Sequence, residues 1–405
     1  MKPKTLFLTR NGLLEPLGKS QILAYLVPLS GEYDIHIVSF EKTRNLKAEK
    51  DYLAIQSLCD QHNIKWTPLT YRRFSRKLGI VAGFFELYWT TRRICREENI
   101  QLIHARSYYP AFIALATLRY AQIPFIFDMR ALWPEELIVS GRLKDKSGAY
   151  HIIKSMEKSC LAQSAHIVSL TAAAIGHLAR QHPDLPIPQK TSVIPTCTDL
   201  SRFQVRQAAA SDAIVISCIG TLLSGWFKMN ILQAVVNYLL TSHAPIRFEL
   251  LTRDDATKVL DALDPSGRWQ DRIHIESVPF EQMPKRVAAH DGSVFFFNAD
   301  ISKLGSCPTR MGELLAAGIP ILANPGVGDV GAIIAENKVG VLIEDETPEA
   351  IARACEEFLA LLQQPSIAQH CRSVAEELFS LSSGVAAYRK IYQNILTADQ
   401  VEQTA

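Results

Sequence analysis

Residues 301–329 of this chain read ISKLGSCPTRMGELLAAGIPILANPGVGD, and they predict a loop, a helix, a buried strand and a second loop. The side chains of residues 306–309 are of the helix-capping type, and Pro308 suits a first helical turn. Gly318 favours the end of the helix, and the apolar run 319–323 has the length and flanks of a buried strand. This stretch is therefore typical of a sheet whose strands are joined by helices.

The start of this helix also carries side chains that suit a nucleotide. Around Ser306, Pro308 and Thr309, a helix N-terminus offers unpaired N–H groups and a positive dipole end, which favour an anion such as a diphosphate. Arg310 adds a forked cation, and Glu313 lies roughly 7–8 Å farther along the axis, where a carboxylate can accept hydrogen bonds from ribose hydroxyls. A capped helix with an exposed glutamate explains the same residues without a ligand.

The composition limits the class of protein. With 405 residues, 48% of them hydrophobic and 21% charged, the chain is long enough for two α/β domains with separate cores. A net charge of +2 argues against a nucleic-acid partner. The eight cysteines form no Cys-x-x-Cys pair, which indicates neither a zinc site nor a disulfide framework. No targeting or membrane-spanning segment is visible, so we expect a cytoplasmic protein whose only membrane contact is peripheral, at the inner face of the membrane.

Short apolar runs alternate with helical stretches along both halves of the chain. The predicted strands of the first half are 5–9, 35–40, 65–69, 102–105, 125–128 and 166–170. Those of the second half are 213–219, 246–252, 272–276, 293–297, 319–323 and 339–343. Such alternation predicts two doubly wound, Rossmann-like domains, each with a parallel sheet covered by helices, and a ligand cleft between them.

Polar side chains follow the predicted strands of the first half. Arg106 comes after one strand, and Asp128, Arg130 and Glu135 come at and after the next. Because ligands meet the loops beyond the carboxyl ends of parallel strands, these residues indicate a sugar-binding site. Each of them alone is also compatible with an interdomain salt bridge. His104 is more typical of a packed, hydrogen-bonded histidine than of a base.

Two further residues are candidates for phosphate contact. Strand 5–9 leads into a loop with Gly18 but without Gly-x-Gly-x-x-Gly, so a dinucleotide site is not supported. Gly18 either lets a substrate approach the backbone or serves as a turn glycine. Lys228, near the start of a helix, either reaches a phosphate as a point charge or is solvated.

Residues 71–98 combine basic and aromatic side chains. The basic ones are Arg72, Arg73, Arg76, Lys77, Arg92, Arg93 and Arg96, and the aromatic ones are Phe74, Phe84, Phe85, Tyr88 and Trp89. This mixture indicates either a surface for anionic lipid headgroups or a core helix with a solvated basic face.

Several motifs together resemble the retaining glycosyltransferases of family 4, which have the two-domain GT-B fold. The resemblance covers most of the chain, and its most specific part is PTRMGELLAAGIPI followed by NPGVGD. The other segments that carry it are NGLLEPLGKSQ, FDMRALWPEE and VIPTCTDLSRF. The first of these resembles the opening of a bacterial subgroup.

The resemblance implies that the two domains bind different substrates. It assigns residues 1–198 with a returning C-terminal helix, 383–405, to acceptor binding, and residues 199–382 to the nucleotide-sugar donor. Glu313 matches the carboxylate that contacts ribose, and Lys228 matches the phosphate-binding lysine. Ser306, Pro308 and Thr309 match the loop near the donor phosphates, Gly18 matches the glycine loop, and Arg106 follows the strand where relatives contact the sugar.

Two positions depart from the family pattern. Gly305 replaces the first carboxylate of a Glu-x7-Glu element, and Thr221 replaces an arginine. The resemblance implies transfer of a hexosyl unit with retention, without a metal ion or cofactor. UDP is the favoured donor base, GDP is the alternative, and the acceptor is a glycan, a lipid-linked sugar or a polysaccharide. A nucleotide-sugar epimerase and a catalytically silent nucleotide-binding subunit are the competing hypotheses.

Overall fold

The structure is a computed structural model that describes residues 2–70, 76–206, 213–242 and 245–404. The chain divides into two compact units, Met1–Pro195 with Leu381–Ala405, and Thr196–Ser380. The boundaries predicted from the sequence, after residues 198 and 382, differ from these by three and two residues.

In the described part of the first unit, seven parallel strands form one sheet in the order β3-β2-β1-β4-β5-β6-β7. The strands are β1 Lys4–Thr9, β2 Asp34–Glu41, β3 Lys65–Thr70, β4 Leu102–Arg106, β5 Phe125–Asp128, β6 His166–Ser169 and β7 Thr191–Val193. Thr9 is level with Arg106, and Arg106 is level with Asp128. The loops that follow β1, β4 and β5 therefore leave the sheet side by side.

Helices connect these strands, and the last helix of the chain also belongs to the first unit. The helices are α1 Pro16–Gly18, α2 Ala24–Leu29, α3 Thr43–Leu46, α4 Glu49–Gln61, α5 Arg76–Glu98, α6 Tyr108–Ala121, α7 Trp133–Val139, α8 Gly148–Gln163, α9 Ala172–Gln181 and α17 Leu381–Thr404. A π-helical turn, Lys19–Leu23, joins α1 to α2. Among the described residues, no helix combines the length and the apolar character needed to cross a bilayer.

The described residues of the second unit form a six-stranded parallel sheet in the order β10-β9-β8-β11-β12-β13. Its strands are β8 Ile214–Ile219, β9 Ile246–Leu251, β10 Ile273–Glu276, β11 Gly292–Phe295, β12 Ile321–Ala323 and β13 Gly340–Leu342. Its helices are α10 Met229–Ser242, α11 Ala256–Leu263, α12 Met283–Val287, α13 Thr309–Ala316, α14 Val330–Asn337, α15 Pro348–Leu362 and α16 Ile367–Leu378.

The second sheet is buried on both faces. Successive residues of a strand point to opposite faces, and here they enter two different apolar clusters. Val294 and Leu322 pack with α10 and α15, while Phe295, Ile321 and Ala323 pack with α13 and α16. This burial on both sides explains why the strands read as continuous apolar runs rather than as alternating patterns.

The predicted division into two Rossmann-like units, each with a parallel sheet, is confirmed. Three local expectations were wrong. Strand β7 was missed because its residues, Thr191–Val193, form no apolar run and none of them is buried. The sequence predicts a helix near residues 82–98, whereas α5 already begins at Arg76. Finally, Pro308 occupies the N-cap of α13 and no side chain caps that helix.

Candidate functional site

The first loop of the second unit is held by a carboxylate from the neighbouring loop. Asp254, which follows β9, accepts hydrogen bonds from the backbone N–H groups of Leu222 (2.6 Å) and Leu223 (3.0 Å). Burial raises the pKa of Asp254, but the bonds from Leu223 and Leu222 outweigh it and hold the pKa below its usual value. Gly220 opens the loop with φ +134°, which other residues rarely adopt. An ionised Asp254 therefore fixes the turn that leads to Lys228.

The loops after β8, β11 and β12 form one connected assembly. Phe227 and Phe297 pair as an isolated antiparallel bridge. The side-chain amide of Asn324 accepts from the N–H of Phe297 (2.8 Å) and donates to its carbonyl (2.9 Å). The ammonium group of Lys303 lies 4.6 Å from the centre of the Trp226 ring. The carboxyl edge of the second sheet is thus a preorganised surface.

Lys228 lies on this surface and is paired with an acid. Its backbone N–H donates to the carbonyl of Phe296 (3.0 Å), which fixes the main chain. Its ammonium group contacts Glu346 at 2.5 Å, and Asn230 donates to the same carboxylate (3.2 Å). The hydrogen bond from Lys228 lowers the pKa of Glu346. Since the Glu346 side chain is 48% exposed, an incoming anion can take its place at Lys228 without leaving a buried charge unpaired.

At the N-terminus of α13, two backbone N–H groups have no acceptor among the described residues. Ser306 N–H donates to the carbonyl of Lys303, and Met311 N–H donates to that of Pro308, each at 3.0 Å. The backbone N–H groups of Thr309 and Arg310 find no acceptor within the described parts of the chain. Two adjacent free N–H groups at the positive end of a helix dipole form a place for an oxyanion.

Glu313 lies one turn into α13 and is buried, with 6% of its surface exposed. Its carboxylate is paired with Arg310 on the same helix, and the Arg310 side chain is 32% exposed. The arginine can therefore turn towards a ligand, whereas burial restricts the movement of the glutamate side chain. The exposed glutamate of the alternative interpretation is not observed.

Helix α13 is anchored by the segment that begins the second unit. Thr196 donates its hydroxyl to the carbonyl of Cys307 (3.2 Å), just before the helix. A Cβ built on Gly312 would lie 3.0 Å from the Thr198 hydroxyl and 3.1 Å from Phe379, so this side of the helix is tightly packed. These contacts, rather than a side-chain cap, set the position of the free N–H groups.

In the first unit, Asp128 is the centre of a buried polar network. Tyr388 of α17 donates to its Oδ2 (3.2 Å), and His104 Nε2 lies 3.4 Å from the same oxygen. Because a carboxylate only accepts, His104 carries its proton on Nε2 and accepts from Tyr392 at Nδ1 (2.8 Å). Burial lowers the pKa of His104, so the ring is neutral. The packed histidine expected from the sequence is what the structure shows.

Two arginines surround the same carboxylate. Arg130 lies 3.8 Å from Asp128 Oδ1, and Arg106 donates to Asn11 at 3.2 Å. Burial raises the pKa of Asp128, but Arg130, His104 and Arg106 outweigh burial and hold the pKa below its usual value. Burial lowers the pKa of Arg106 to about 10, which leaves it charged at neutral pH. The structure therefore brings Arg106, Asp128 and Arg130 together, as their positions after adjacent strands led us to expect.

Two backbone features next to this network store strain. Arg130 has φ +62° and Ser107 has φ +76°, although neither is a glycine. Asp128 Oδ1 and Arg106 Nε are buried and make no hydrogen bond to any residue that the structure describes. Strained backbone and unsatisfied polar atoms cluster at functional sites more often than elsewhere.

Glu135 lies in a different cluster. Lys154 contacts Glu135 at 3.1 Å and also pairs with Glu157, which accepts from the Tyr108 hydroxyl (2.8 Å). Glu135 is 7% exposed. These contacts form a buried cluster of charged side chains between α7 and α8. A contact of Glu135 with the acceptor or the sugar stays a prediction.

Gly18 is explained by the packing of its own loop. A Cβ on Gly18 would lie 2.3 Å from the carbonyl oxygen of Gly12 and 2.5 Å from Leu13 Cα. The space next to Gly18 is thus filled by backbone, and its contact with a donor stays a prediction. Glu41, which sequence reasoning missed, holds this loop by accepting from Leu13 (2.7 Å) and Leu14 (3.3 Å). The sequence did contain a signal for this role, because Glu41 is an acidic residue at the end of the apolar strand β2.

The described residues contain no group of three histidine, cysteine, aspartate or glutamate side chains that could hold a metal ion. The positive groups on the surface around α13 include those of Lys303, Arg310, Lys228 and the helix N-terminus.

Comparisons with known proteins agree with this architecture. Residues 30–202 match the sequence model of Glycosyltransferase Family 4. Anabaena HepE in complex with UDP is similar in structure, with a TM-score of 0.70 and 15% identity over 96% of this chain and 100% of HepE. A glycosyltransferase from Rickettsia africae has a TM-score of 0.71 and 14% identity over 98% and 99% of the two chains. Sucrose-phosphate synthase from Thermosynechococcus elongatus has a TM-score of 0.70 and 12% sequence identity, over 98% of this chain and 100% of the synthase. No curated protein matches the sequence.

These similarities define the class of protein. The chain has the GT-B fold, shared with each of the structures compared. Its residues 30–202 are similar to the Glycosyltransferase Family 4 sequence model. The resemblance to that family, predicted from the motifs, is confirmed.

Proposed function

We propose that this protein transfers a hexosyl unit from a nucleotide-diphosphate sugar to a glycan, a lipid-linked sugar or a polysaccharide, with retention of anomeric configuration. The observation that carries the proposal is the start of α13, where two free N–H groups are followed by the buried carboxylate of Glu313. UDP is the favoured base and GDP the alternative. Structures of HepE with UDP and with UDP-glucose support a uridine nucleotide.

The donor would bind along α13. The N–H groups of Thr309 and Arg310 would receive the diphosphate, and Glu313 would accept hydrogen bonds from the ribose hydroxyls. Lys228 would exchange its contact with Glu346 for a phosphate oxygen. In this arrangement the diphosphate meets two backbone donors that are already in position and one ammonium group that leaves a partly exposed ion pair.

The chemistry needs charge stabilisation more than a nucleophile. As the bond to the anomeric carbon breaks, negative charge grows on the departing phosphate, and fixed positive groups stabilise it most at that moment. Lys228 and the start of α13 supply such groups in a reaction that we propose to run without a metal ion. The acceptor hydroxyl would attack from the face that the phosphate leaves and pass its proton to that phosphate. Arg106, Asp128 and Arg130 would contact the acceptor or the sugar.

The test is a transfer assay with UDP-hexoses and GDP-hexoses, followed by NMR analysis of the anomeric configuration of the product. Lys228→Ala and Glu313→Ala should each reduce transfer at least tenfold, which corresponds to about 1.4 kcal/mol. Lys258→Ala, which removes an exposed lysine of α11, is the matched control and should leave the rate unchanged. Full activity of both site variants would refute the proposed site, and an inverted product would refute retention.

The same samples separate the competing functions. An epimerase converts the donor alone into its epimer, which NMR detects without an acceptor. A silent subunit is favoured by Gly305 and Thr221 and would bind UDP, with a rise in melting temperature, but show no turnover.

We also propose that α5 contacts the membrane from the cytoplasmic side. Val81, Phe85 and Trp89 follow one another at four-residue spacing and are 53%, 56% and 60% exposed. This spacing places them on one face of the helix. Arg93 and Arg96 are exposed in the same helix, as expected for contact with anionic headgroups. Part of the basic aromatic segment, including Arg72, Arg73 and Phe74, lies outside the described residues.

Sedimentation with lipid vesicles tests this contact. The protein should bind vesicles that contain phosphatidylglycerol and bind neutral phosphatidylcholine vesicles much less. Phe85→Ser with Trp89→Ser should abolish binding at unchanged UDP affinity, whereas Val193→Ser, at an exposed apolar residue of β7, should not. Equal binding of the double variant would refute the role of α5.

A further inference from the structure

An aromatic ring and a cation meet at the carboxyl edge of the second sheet. The ammonium group of Lys303 lies 4.6 Å from the centre of the Trp226 ring. Trp226 is 55% exposed, and Ile301, two residues before the lysine, is also 55% exposed. Exposed apolar surface beside an oriented cation suits a ligand that has both an apolar face and a negative charge.

The main chain under both side chains is fixed by hydrogen bonds. The carbonyl of Lys303 accepts from the N–H groups of Ser306 (3.0 Å) and Gly328 (2.8 Å). The carbonyl of Trp226 accepts from the N–H of Asn298 (2.8 Å). Because these bonds involve only backbone atoms, the loops present the ring and the ammonium group without using either of them for support.

Lys303 is a cation without an acidic partner. Apart from the ring of Trp226, no described residue gives its ammonium group a hydrogen-bond acceptor or an ion pair. The acid nearest to it in the sequence, Asp300, accepts instead from the N–H (2.8 Å) and the hydroxyl of Ser302. An ammonium group has three N–H donors and the ring covers one side of it, so donors are left for an oxyanion.

The direction of α13 indicates which part of a donor would reach this pair. In the proposed complex the diphosphate binds at the start of the helix, and the ribose binds one turn farther in, at Glu313. The hexosyl group is attached to the other end of the diphosphate, so an extended donor directs it away from Glu313. On that side lie the turn with Lys303, which precedes the helix, and Trp226, two residues before Lys228.

We propose that Trp226 and Lys303 form the subsite for the transferred sugar, and that this sugar is a hexuronosyl group, which carries a carboxylate. The inference rests on the proposed transferase function and names the class of its donor. One face of the sugar ring packs on Trp226, and the carboxylate pairs with Lys303. A neutral hexosyl group leaves the lysine without an anionic partner.

Isothermal titration calorimetry with the full-length protein tests the proposal without turnover. UDP-glucuronate and UDP-galacturonate are compared with UDP-glucose and UDP-galactose, and GDP-mannuronate is compared with GDP-mannose. We expect at least one uronate to bind about fivefold more tightly than its neutral counterpart, which is the upper end for a partly exposed ion pair. Salt at about 1 M should reduce this preference towards unity, because it screens the pair.

Two variants separate the roles of the ring and the cation. Lys303→Gln should abolish the preference for the uronate and leave the affinity for UDP unchanged. Trp226→Leu should weaken uronate and neutral donors alike, relative to UDP, because it removes the surface on which either sugar packs. Lys285→Gln, at an exposed lysine of the same unit, is the matched control and should keep the parental preference.

Three outcomes would count against these assignments. Equal binding of uronate and neutral donors by the parent protein, or a preference that persists in Lys303→Gln, would overturn the inference. Loss of UDP and of the uronates by the same factor in Lys303→Gln would assign the lysine to the phosphates and would also overturn it. If neither UDP nor GDP binds the parent protein, the proposed function itself fails.

Discussion

The proposed contact between Glu313 and ribose can be isolated by changing both the protein and the nucleotide. The perturbations are Glu313→Ala in the protein and replacement of UDP by 2′,3′-dideoxy-UDP, which lacks the hydroxyls that the carboxylate would bind. If the two groups interact, removing either one should make removal of the other inconsequential.

The magnitude follows from the burial of the carboxylate. Glu313 is 6% exposed, so its hydrogen bonds to a ligand form with little competition from water. A hydrogen bond to a charged group contributes about 1.5–3 kcal/mol, and about 1.4 kcal/mol corresponds to a tenfold change in affinity. Loss of the Arg310 pair adds little, since the Arg310 side chain is 32% exposed and can be solvated. We therefore expect dideoxy-UDP to bind the parent protein at least tenfold more weakly than UDP.

Isothermal titration calorimetry provides the four dissociation constants. The Glu313→Ala protein should bind both nucleotides with the same, weakened affinity. Lys228→Ala is a control with a different signature, because removing a cation that binds the phosphate weakens both nucleotides equally and leaves the ratio of their affinities intact. If the Glu313→Ala protein still discriminates between the nucleotides by the parental factor, the carboxylate does not contact the ribose and the assignment fails.

Gly18→Ala would place a Cβ 2.3 Å from the carbonyl oxygen of Gly12, and urea denaturation should show a loss of about 1–3 kcal/mol in the free energy of unfolding. Gly148→Ala, where a Cβ meets nothing within 4 Å, is the control and should be neutral or stabilising; an equal loss would contradict the packing argument. Tyr388→Phe removes a donor to Asp128 and should cost about 1.5–3 kcal/mol in the same assay, so an unchanged stability would disprove that bond. Because the pKa of Asp128 is lowered in the folded state, the contribution of this carboxylate to stability should be complete above about pH 4. It should be lost as the pH falls through the folded pKa. Asp128→Asn should flatten this part of the stability profile, and an unaltered profile would contradict the role of Asp128.

The order of elements and the grouping of polar residues beyond adjacent strands could be predicted from the sequence because both depend on local signals. Apolar runs bounded by Gly, Pro and polar residues predicted strands such as β5 Phe125–Asp128, whose ends matched the structure. In a parallel sheet the loops after adjacent strands lie together, so Arg106 and Asp128 could be grouped before any contact was known. Glu313 follows the helix start by a fixed rise per residue, which set its distance from the expected phosphate.

The partners of these residues were decided only by the tertiary structure. Tyr388 reaches Asp128 across 260 positions of the chain, and Lys228 meets Glu346 across 118. Local periodicity reports which residues share a face of one element, but it does not show which elements the topology brings together. The side-chain cap expected at α13 was wrong for the same reason, because contacts from Thr196 already hold the start of that helix.

A cavity at the carboxyl edge of the first sheet shows this division most clearly. Among its lining residues, Arg10 follows β1, Lys42 follows β2 and Arg142 follows α7, and they converge only because β1 lies between β2 and β4. Sequence determined that cations follow these strands. Strand order, which depends on how buried faces pack together, determined that they surround one space.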